Sequence, residues 1–199
     1  MKHVFIKGEA QEPVFVLLHG TGGNETSLLG IGKDLNPKAS FLGIKGDITE
    51  EGRTRYFHRL VEGGYDEQEM WDRGVTLVDV ITDCSQIYGF PMDNIILVGY
   101  SNGANMAIHL LLNELLTVKG VILFHSLYPM PPKKTNLNGL PVFLTFGEED
   151  KIVSVEESQR VERVMREAKG KVTVLWTRGH LIHLKEIKEA KKWLEEVVN

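Results

Sequence analysis

Seven short runs of apolar residues along the chain predict β-strands. Several of them, such as Val14 to Leu18 and Ile95 to Gly99, are nearly continuous rather than alternating with polar residues. Continuous runs of this kind are typical of parallel strands that are covered on both faces of a sheet. The predicted strands are Val4 to Ile6, Val14 to Leu18, Phe41 to Ile44, Ile95 to Gly99, Val121 to Phe124, Val142 to Phe146 and Val172 to Trp176.

Between the strands, apolar residues recur every three or four positions, which predicts amphipathic helices. The four longest cover 75–88, 104–116, 155–165 and 187 to the end of the chain, and a further helix should begin near Asn24. Ser154 with Glu157 predicts a capping box at the start of the third. This alternation predicts an α/β fold in which helices flank a mostly parallel central sheet of about seven strands. We expect one domain over 1–199, without a large lid.

The segment from Lys45 to Met70 has no clear period. Connections longer than about 12–15 residues that lack structure are uncommon in compact domains and are usually functional or disordered. The aromatic residues and arginines in this segment argue against disorder. A solvated surface loop without a functional role remains an alternative interpretation. We expect the stretch from Gly52 to Gly64, and the one from His125 to Pro132, to lie at the carboxyl edge of the sheet and to shape specificity.

Composition excludes several classes of protein. The 199 residues include 23 basic and 27 acidic side chains, a net charge of −4, so nucleic acid would meet little electrostatic attraction. The single cysteine, Cys84, cannot form an internal disulfide, and a reducing cytoplasm is the expected compartment. No window reaches the roughly 18 apolar residues of a membrane span, so we expect no integral membrane association.

Ser101 is the candidate nucleophile. It lies in Gly99-Tyr100-Ser101-Asn102-Gly103, a G-x-S-x-G pattern placed between a predicted strand and a predicted helix. That context is the one a nucleophile elbow requires, in which a strained turn presents the serine hydroxyl above the sheet. The flanking glycines let the strand and the helix approach each other closely.

A serine hydroxyl needs a general base, and the base needs an acid that orients it. In sites built on a nucleophile elbow, the acid and then the histidine follow the serine along the chain. Asp150 follows a predicted strand, with Glu148 and Glu149 as rivals in the same turn. His180 follows the last predicted strand and is the expected base. The other histidines after Ser101 are His183, which stays an alternative, and His125, which precedes the acid and is disfavoured by order.

The turn Leu18-His19-Gly20-Thr21-Gly22-Gly23 matches neither common phosphate-binding pattern. We interpret it as one side of an oxyanion hole, in which a backbone N–H near Thr21 joins that of Asn102. His19 should brace this turn rather than catalyse. Since the chain has one cysteine and no third ligand beside His180 and His183, we expect no metal site.

These segments together resemble the α/β-hydrolase superfamily, and within it the phospholipase/carboxylesterase family, over nearly the whole chain. The most specific run is Gly99 to Asn105, which is similar to a bacterial subgroup of esterases; Leu17 to Gly23, Arg55 to Leu60, Gly147 with Asp150, and Gly179-His180 add to it. The resemblance implies a Ser101–Asp150–His180 triad, oxyanion donors at Thr21 and Asn102, and a cofactor-free acyl-enzyme mechanism. Arg178 and His183 depart from the family pattern and could alter access to His180.

The expected function is hydrolysis of small or short-chain carboxylic esters. Lysophospholipase, thioesterase, acyltransferase, and amide- or lactone-cleaving activity on the same triad stay open, as does a non-catalytic ligand binder. We expect a small-molecule ester as partner, no nucleic acid and no cofactor. A homodimer is compatible with the sequence. Tyr56, Phe57, Leu127 and Tyr128 are the predicted apolar wall of the substrate site. Arg55 or Arg59 would meet an anionic substrate group, unless both only fix their loop through salt bridges.

Overall fold

The structure, a computed structural model, describes residues 1–60, 64–131 and 134–197. Strands and helices follow one another along these ranges. The strands are β1 (His3–Ile6), β2 (Val14–Leu18), β3 (Ser40–Ile44), β4 (Ile48–Glu50), β5 (Arg53–Arg55), β6 (Ile95–Tyr100), β7 (Gly120–Phe124), β8 (Pro141–Gly147) and β9 (Lys171–Thr177). The helices are α1 (Leu29–Leu35), α2 (Glu67–Tyr88), α3 (Asn102–Leu112), α4 (Val155–Glu167) and α5 (Leu184–Val197).

The main sheet has seven strands in the order β1-β3-β2-β6-β7-β8-β9. β1 runs antiparallel to β3, and the other neighbouring pairs of this sheet are parallel. The seven predicted strands are all present, and the predicted α/β architecture is confirmed. Because parallel strands end at the same edge of a sheet, the loops after β2, β6, β7, β8 and β9 meet there.

Helices cover both faces of the sheet, which explains the continuous apolar strands. In β2, the side chains of Val14, Val16 and Leu18 belong to one buried cluster, whereas Phe15 and Leu17 belong to another. The first cluster also contains residues of α2, α3 and α4, and the second contains residues of α1 and α5. A strand that is buried on both faces has no exposed polar face, so its sequence does not alternate between apolar and polar residues.

The helices differ from the predictions mainly at their amino ends. Helix α2, predicted from Val75, begins at Glu67 because the carboxylate of Asp66 accepts a hydrogen bond from the backbone N–H of Glu69 at 2.8 Å. Its first turns are largely polar, so the apolar period is weak there. The capping box predicted at the start of α4 is present.

The helix predicted near Asn24 begins only at Leu29. The Asn24 side chain accepts hydrogen bonds from the backbone N–H and the hydroxyl of Thr26, at 2.9 and 2.7 Å. In turn, the Ser27 hydroxyl accepts from the Asn24 N–H at 2.9 Å. Such local side-chain bonds compete with helical hydrogen bonds and hold this stretch as a turn.

The aperiodic segment from Lys45 to Met70 contains a small β-hairpin rather than only loop. Strands β4 and β5 pair antiparallel, and the turn between them places Glu51 and Gly52 at φ 49° and 73°. Two consecutive positive φ angles are typical of the tight turns that suit hairpins. The hairpin was not predicted because its strands are three residues long and polar.

Residues 61–63 of the first predicted specificity loop, and Pro132 of the second, lie outside the described residues, as do the last two residues of the chain. Within the described ranges, none of the helices has both the length and the apolar character to cross a membrane.

Candidate active site

Ser101 occupies a sharp turn between β6, which ends at Tyr100, and α3, which begins at Asn102. Its backbone has φ 48° and ψ −114°. A residue with a Cβ enters such a conformation at a cost of about 1–3 kcal/mol, which is typical of functional sites. The Ser101 N–H donates to the carbonyl of Phe124 at 2.9 Å, so the neighbouring strand β7 holds the strained turn in place.

Close packing requires both glycines of the G-x-S-x-G pattern. A Cβ on Gly99 would lie 2.7 Å from the Cα of Ala104, which is too close for any side chain. A Cβ on Gly103 would collide with the carbonyl group of Leu18 in β2. The glycines therefore allow α3 to start directly against the sheet, with Ser101 at its carboxyl edge.

The structure brings Ser101, His180 and Asp150 together in one chain of hydrogen bonds. His180, in the loop after β9, has its Nε2 atom 3.0 Å from Ser101 Oγ. Its Nδ1 atom lies 2.6 Å from Oδ2 of Asp150, which follows β8. The arrangement fits a tautomer in which Nδ1–H donates to the carboxylate and Nε2 accepts from the hydroxyl.

The Asp150 carboxylate is held in its ionised form. Burial raises its pKa, but hydrogen bonds from the backbone N–H of Ile152, from His180 and from the backbone N–H of Val153 outweigh burial and lower it below the usual value. The amides of Ile152 and Val153 donate to Oδ1 at 2.7 and 3.2 Å, which leaves Oδ2 for His180. The site can therefore pass a proton from serine to histidine and stabilise the resulting imidazolium.

The alternative acids and base lie elsewhere. Glu148 and Glu149 are exposed, and the Glu149 carboxylate accepts a hydrogen bond from Arg178 at 2.8 Å. His183 is exposed immediately before α5, where its backbone N–H donates to Glu186 at 2.8 Å.

The two predicted oxyanion donors line the same pocket as Ser101. Asn102 is buried, and its side-chain oxygen accepts a hydrogen bond from the Tyr56 N–H at 2.8 Å. This bond fixes the orientation of the Asn102 side chain at the start of α3. Thr21 lies across the pocket in the turn after β2, and the next residue, Gly22, donates its N–H to the carbonyl of Thr54 at 2.8 Å. The β4–β5 hairpin thus supports the turn that contains Thr21, a predicted oxyanion donor.

His19 is buried and braces this turn, as we predicted. Its Nδ1 lies 2.7 Å from the carbonyl oxygen of Gly20, and its Nε2 accepts a hydrogen bond from the Gly46 N–H at 3.0 Å. The second bond places the ring proton on Nδ1. Burial lowers the pKa of His19, which favours this neutral form.

The pocket beside Ser101 is small, about 60 Å³, and its walls are mixed in polarity. It is lined by Thr21, Arg55, Arg59, Tyr65, Ser101, Asn102, Asn105, His125, Leu127, Ile152 and Val153. A larger groove of about 550 Å³, which includes Lys119 and Pro141, lies at the amino edge of the sheet and is remote from Ser101.

Of the six predicted substrate residues, Arg55, Arg59 and Leu127 line the pocket, whereas Tyr56, Phe57 and Tyr128 do not. The Tyr56 hydroxyl donates to the Ile44 carbonyl at 2.6 Å and accepts from the His19 N–H at 3.0 Å. Phe57 packs edge-on against Tyr65 with ring centroids 4.6 Å apart, and Tyr128 is 3% exposed beside His109. These three aromatic side chains contribute to the core behind the pocket.

Several residues of the site were missed by sequence reasoning. Tyr65 and Asn105 line the pocket, and the Asn105 amide donates to the Tyr65 hydroxyl at 2.8 Å. Asn105 could have been suspected, because it lies one helical turn after Ser101 in α3. Glu186, whose carboxylate lies 2.9 Å from buried His125, gave no signal, since it looks like an ordinary acidic residue in the first turn of a helix.

One cluster in the described residues brings together three groups that could ligate a metal ion. These are His125, Asp150 and His180, whose ligand atoms lie within 4.8 Å of one another. The bond between His180 and Asp150 already uses the imidazole Nδ1 and carboxylate Oδ2. The prediction that the protein needs no metal stays a prediction.

A seven-stranded, mostly parallel sheet with a strained serine turn after a central strand, and with acid and histidine on later loops, defines the α/β-hydrolase fold. The crystal structure of the carboxylesterase of Bacillus cereus matches it with a TM-score of 0.95 and 38% identity, covering 99% of this chain and 94% of that one. The structure of YahD with malic acid matches with a TM-score of 0.94 and 27% identity, covering 98% of each chain.

The sequence comparisons give the family. A model of the phospholipase/carboxylesterase family matches residues 58–198. The protein MhqD of Bacillus subtilis, which is named as a hydrolase, is 38% identical to this chain over 200 residues, and the match covers the whole of both chains. The chain belongs to the phospholipase/carboxylesterase family, and it is an enzyme of the carboxylesterase type.

Proposed function

We propose that this protein hydrolyses carboxylic esters with small or short acyl groups, with Ser101 as nucleophile. The main observation behind this proposal is the pair of hydrogen bonds that links Ser101 to His180 and His180 to Asp150 at the wall of a small pocket. Family membership supports the reaction class, and the strained conformation of Ser101 supports its role.

The geometry supports the following acylation step. His180 Nε2 removes the proton from Ser101 Oγ as this oxygen attacks the ester carbonyl carbon. The tetrahedral oxyanion would lie at the amino end of α3, where the backbone N–H groups of Asn102 and Thr21 are its donors. Asp150 remains ionised and stabilises the imidazolium. His180 then gives its proton to the departing alkoxide, which leaves as an alcohol.

Deacylation repeats these steps with water. His180 takes a proton from a water molecule, whose oxygen attacks the Ser101 acyl carbon, and the second tetrahedral intermediate releases the carboxylic acid and restores the Ser101 hydroxyl. The reaction consumes one water per ester. Apart from the ester and this water, the proposed steps use only the side chains and backbone of the site.

The acyl-chain preference tests the proposal. We expect kcat/KM for p-nitrophenyl esters to be highest between acetate and butyrate and to fall about tenfold or more by octanoate, because a methylene without a place in a pocket costs of the order of 1 kcal/mol or more. The measurement is initial rates across the series, with enzyme concentration corrected by fluorophosphonate titration. Rates that rise steadily to palmitate would contradict the short-chain assignment, and saturable binding without turnover would indicate a ligand binder.

The charge around the pocket favours an ester that carries a carboxylate. The guanidinium of Arg55 is occupied, since it donates to the Phe57 carbonyl at 3.2 Å and lies 3.3 Å from Glu50. By contrast, Arg59 is exposed at the pocket and has no carboxylate within ion-pair distance among the residues that the structure describes. The structure of the relative YahD was determined with malic acid, which is a dicarboxylic acid. Arg59 is therefore the proposed anion-binding residue, and Arg55 fixes the loop.

Arg59→Gln should discriminate between two esters of similar size, monoethyl succinate and ethyl butyrate, which differ by one carboxylate. We expect kcat/KM for the succinate ester to fall about tenfold, the equivalent of one charged hydrogen bond, and the rate for the butyrate ester to change less than about twofold. A pH-stat assay measures both. Arg53→Gln is the matched control, because Arg53 is an exposed arginine of the preceding β4–β5 hairpin and pairs with Glu51. An equal loss on both esters would exclude anion recognition by Arg59.

A further inference from the structure

A buried acid–histidine contact lies directly behind the candidate triad. The side chains of His125 and Glu186 are both 0% exposed, and His125 Nε2 lies 2.9 Å from Glu186 Oε1. On its other side, His125 Nδ1 lies 4.0 Å from Oδ2 of Asp150, the oxygen that bonds to His180. Chain order disfavours His125 as the base, and the proposed mechanism gives it no step.

Glu186 joins this contact to the loop that carries His180. Its second oxygen, Oε2, accepts the backbone N–H of His183 at 2.8 Å, which fixes the start of α5. Burial raises the pKa of Glu186, but interactions with His125, Thr145 and the His183 amide outweigh burial and lower it. A charged, fully buried carboxylate is costly unless it is paired, so the surrounding groups must be held in place around it.

His125 is itself held in a strained position against both members of the acid–base pair. Its φ of 51° lies in the left-handed region, and its N–H donates to the Thr145 carbonyl at 3.0 Å. The His125 and His180 rings are 5.4 Å apart between centroids. The Tyr100 ring packs edge-on against His125 at 6.3 Å. Strain of this kind persists only where the surroundings enforce it, which is common beside functional sites.

We propose that Glu186 and His125 are positioning residues for Asp150 and His180, an inference that rests on the proposed function of the triad. His125 fills the space behind the Asp150 carboxylate and beside the His180 ring. Glu186 anchors His125 and, through His183, the far end of the His180 loop. Loss of either contact would let the Asp150–His180 bond move out of line with Ser101, and a misplacement of about 1 Å can cost of the order of 100-fold in rate.

A double-mutant cycle tests whether His125 acts through Asp150. We expect His125→Gln to lower kcat about 30-fold while KM changes less than about twofold, because Gln keeps a polar side chain at this part of the pocket wall but the base is misaligned. In an Asp150→Asn background the same change should lower kcat less than about threefold, since the bond that His125 positions is already lost. A purely structural role would instead give similar losses of kcat in both backgrounds.

The control is His109→Gln, because His109 is as buried as His125 but lies in α3 beside Tyr128. We expect it to lower the melting temperature and leave kcat within about twofold. Each kcat is calculated per folded chain, with protein concentration taken from absorbance and folding verified by circular dichroism. If His125→Gln does not fold, Glu186→Gln, which nearly conserves volume, enters the same cycle with Asp150→Asn.

The outcomes separate this inference from the proposed function. If Ser101→Ala retained activity in the same assay, the proposed function would fail, and this inference with it. An inactive Ser101→Ala, together with unchanged kcat for both His125→Gln and Glu186→Gln, would overturn the positioning role alone. Equal losses in the two Asp150 backgrounds would overturn it as well.

Discussion

If Ser101 is the nucleophile, Ser101→Ala is expected to lower kcat for ester hydrolysis about 10⁵- to 10⁶-fold, of the order of the loss that removal of the nucleophile causes in subtilisin. The substitution removes one oxygen and leaves the pocket walls, the oxyanion donors and the Asp150–His180 bond in place. The KM for p-nitrophenyl butyrate should therefore change little. Residual turnover would come from the oxyanion hole and from ester binding alone.

The measurement is kcat and KM for p-nitrophenyl butyrate, combined with fluorophosphonate labelling. The variant should take up no label, whereas the parent enzyme should take up one label per chain. Ser158→Ala is a matched control, because Ser158 is also buried but lies in α4 and away from the pocket. It should keep kcat within about twofold, as is usual away from functional sites. More than about 1% residual kcat in Ser101→Ala would contradict the assignment.

The central part of the site could be predicted from sequence because each catalytic candidate follows a strand. Ser101, Asp150 and His180 lie after β6, β8 and β9, and apolar runs identify all three strands. Since parallel strands end at one edge, three loops far apart in sequence must meet. The chain order of the three residues then limits the choice to a few acids and histidines.

The walls of the pocket could not be predicted in the same way. Tyr56 and Phe57 lie in a polar segment, and nothing in the residue types indicates that both side chains turn inward. Tyr56 is buried because its hydroxyl bridges the Ile44 carbonyl and the His19 amide, two groups that become neighbours only after the sheet forms. Aromatic side chains in a loop can line a substrate pocket or pack in the core, and the residue types alone do not distinguish these two locations.

The Tyr56 bonds also connect the hairpin to the predicted oxyanion hole. The Tyr56 N–H fixes the Asn102 side chain, the Tyr56 hydroxyl contacts the His19 N–H, and Thr54 contacts the turn that contains Thr21. Backbone donors stabilise a developing negative charge best when they are fixed before the reaction. The segment that lacks a sequence period thus supports the donors on both sides of the pocket.

His180→Ala should lower kcat nearly as much as Ser101→Ala, about 10⁵- to 10⁶-fold, because the hydroxyl of Ser101 is a weak nucleophile without its base. Combining the two substitutions should produce little further loss, since the two residues act as a unit. The three variants are compared by kcat on p-nitrophenyl butyrate, with circular dichroism spectra to verify folding.

His183→Ala is the matched control, because His183 lies three residues later at the exposed end of the same loop. Its backbone N–H, which bonds to Glu186, is retained in the variant. We expect kcat to stay within about threefold, as for a surface residue without a role in proton transfer. Activity that survives in His180→Ala and disappears in His183→Ala would assign the base to His183. The distance of 3.0 Å between His180 Nε2 and Ser101 Oγ is the reason to expect the opposite result.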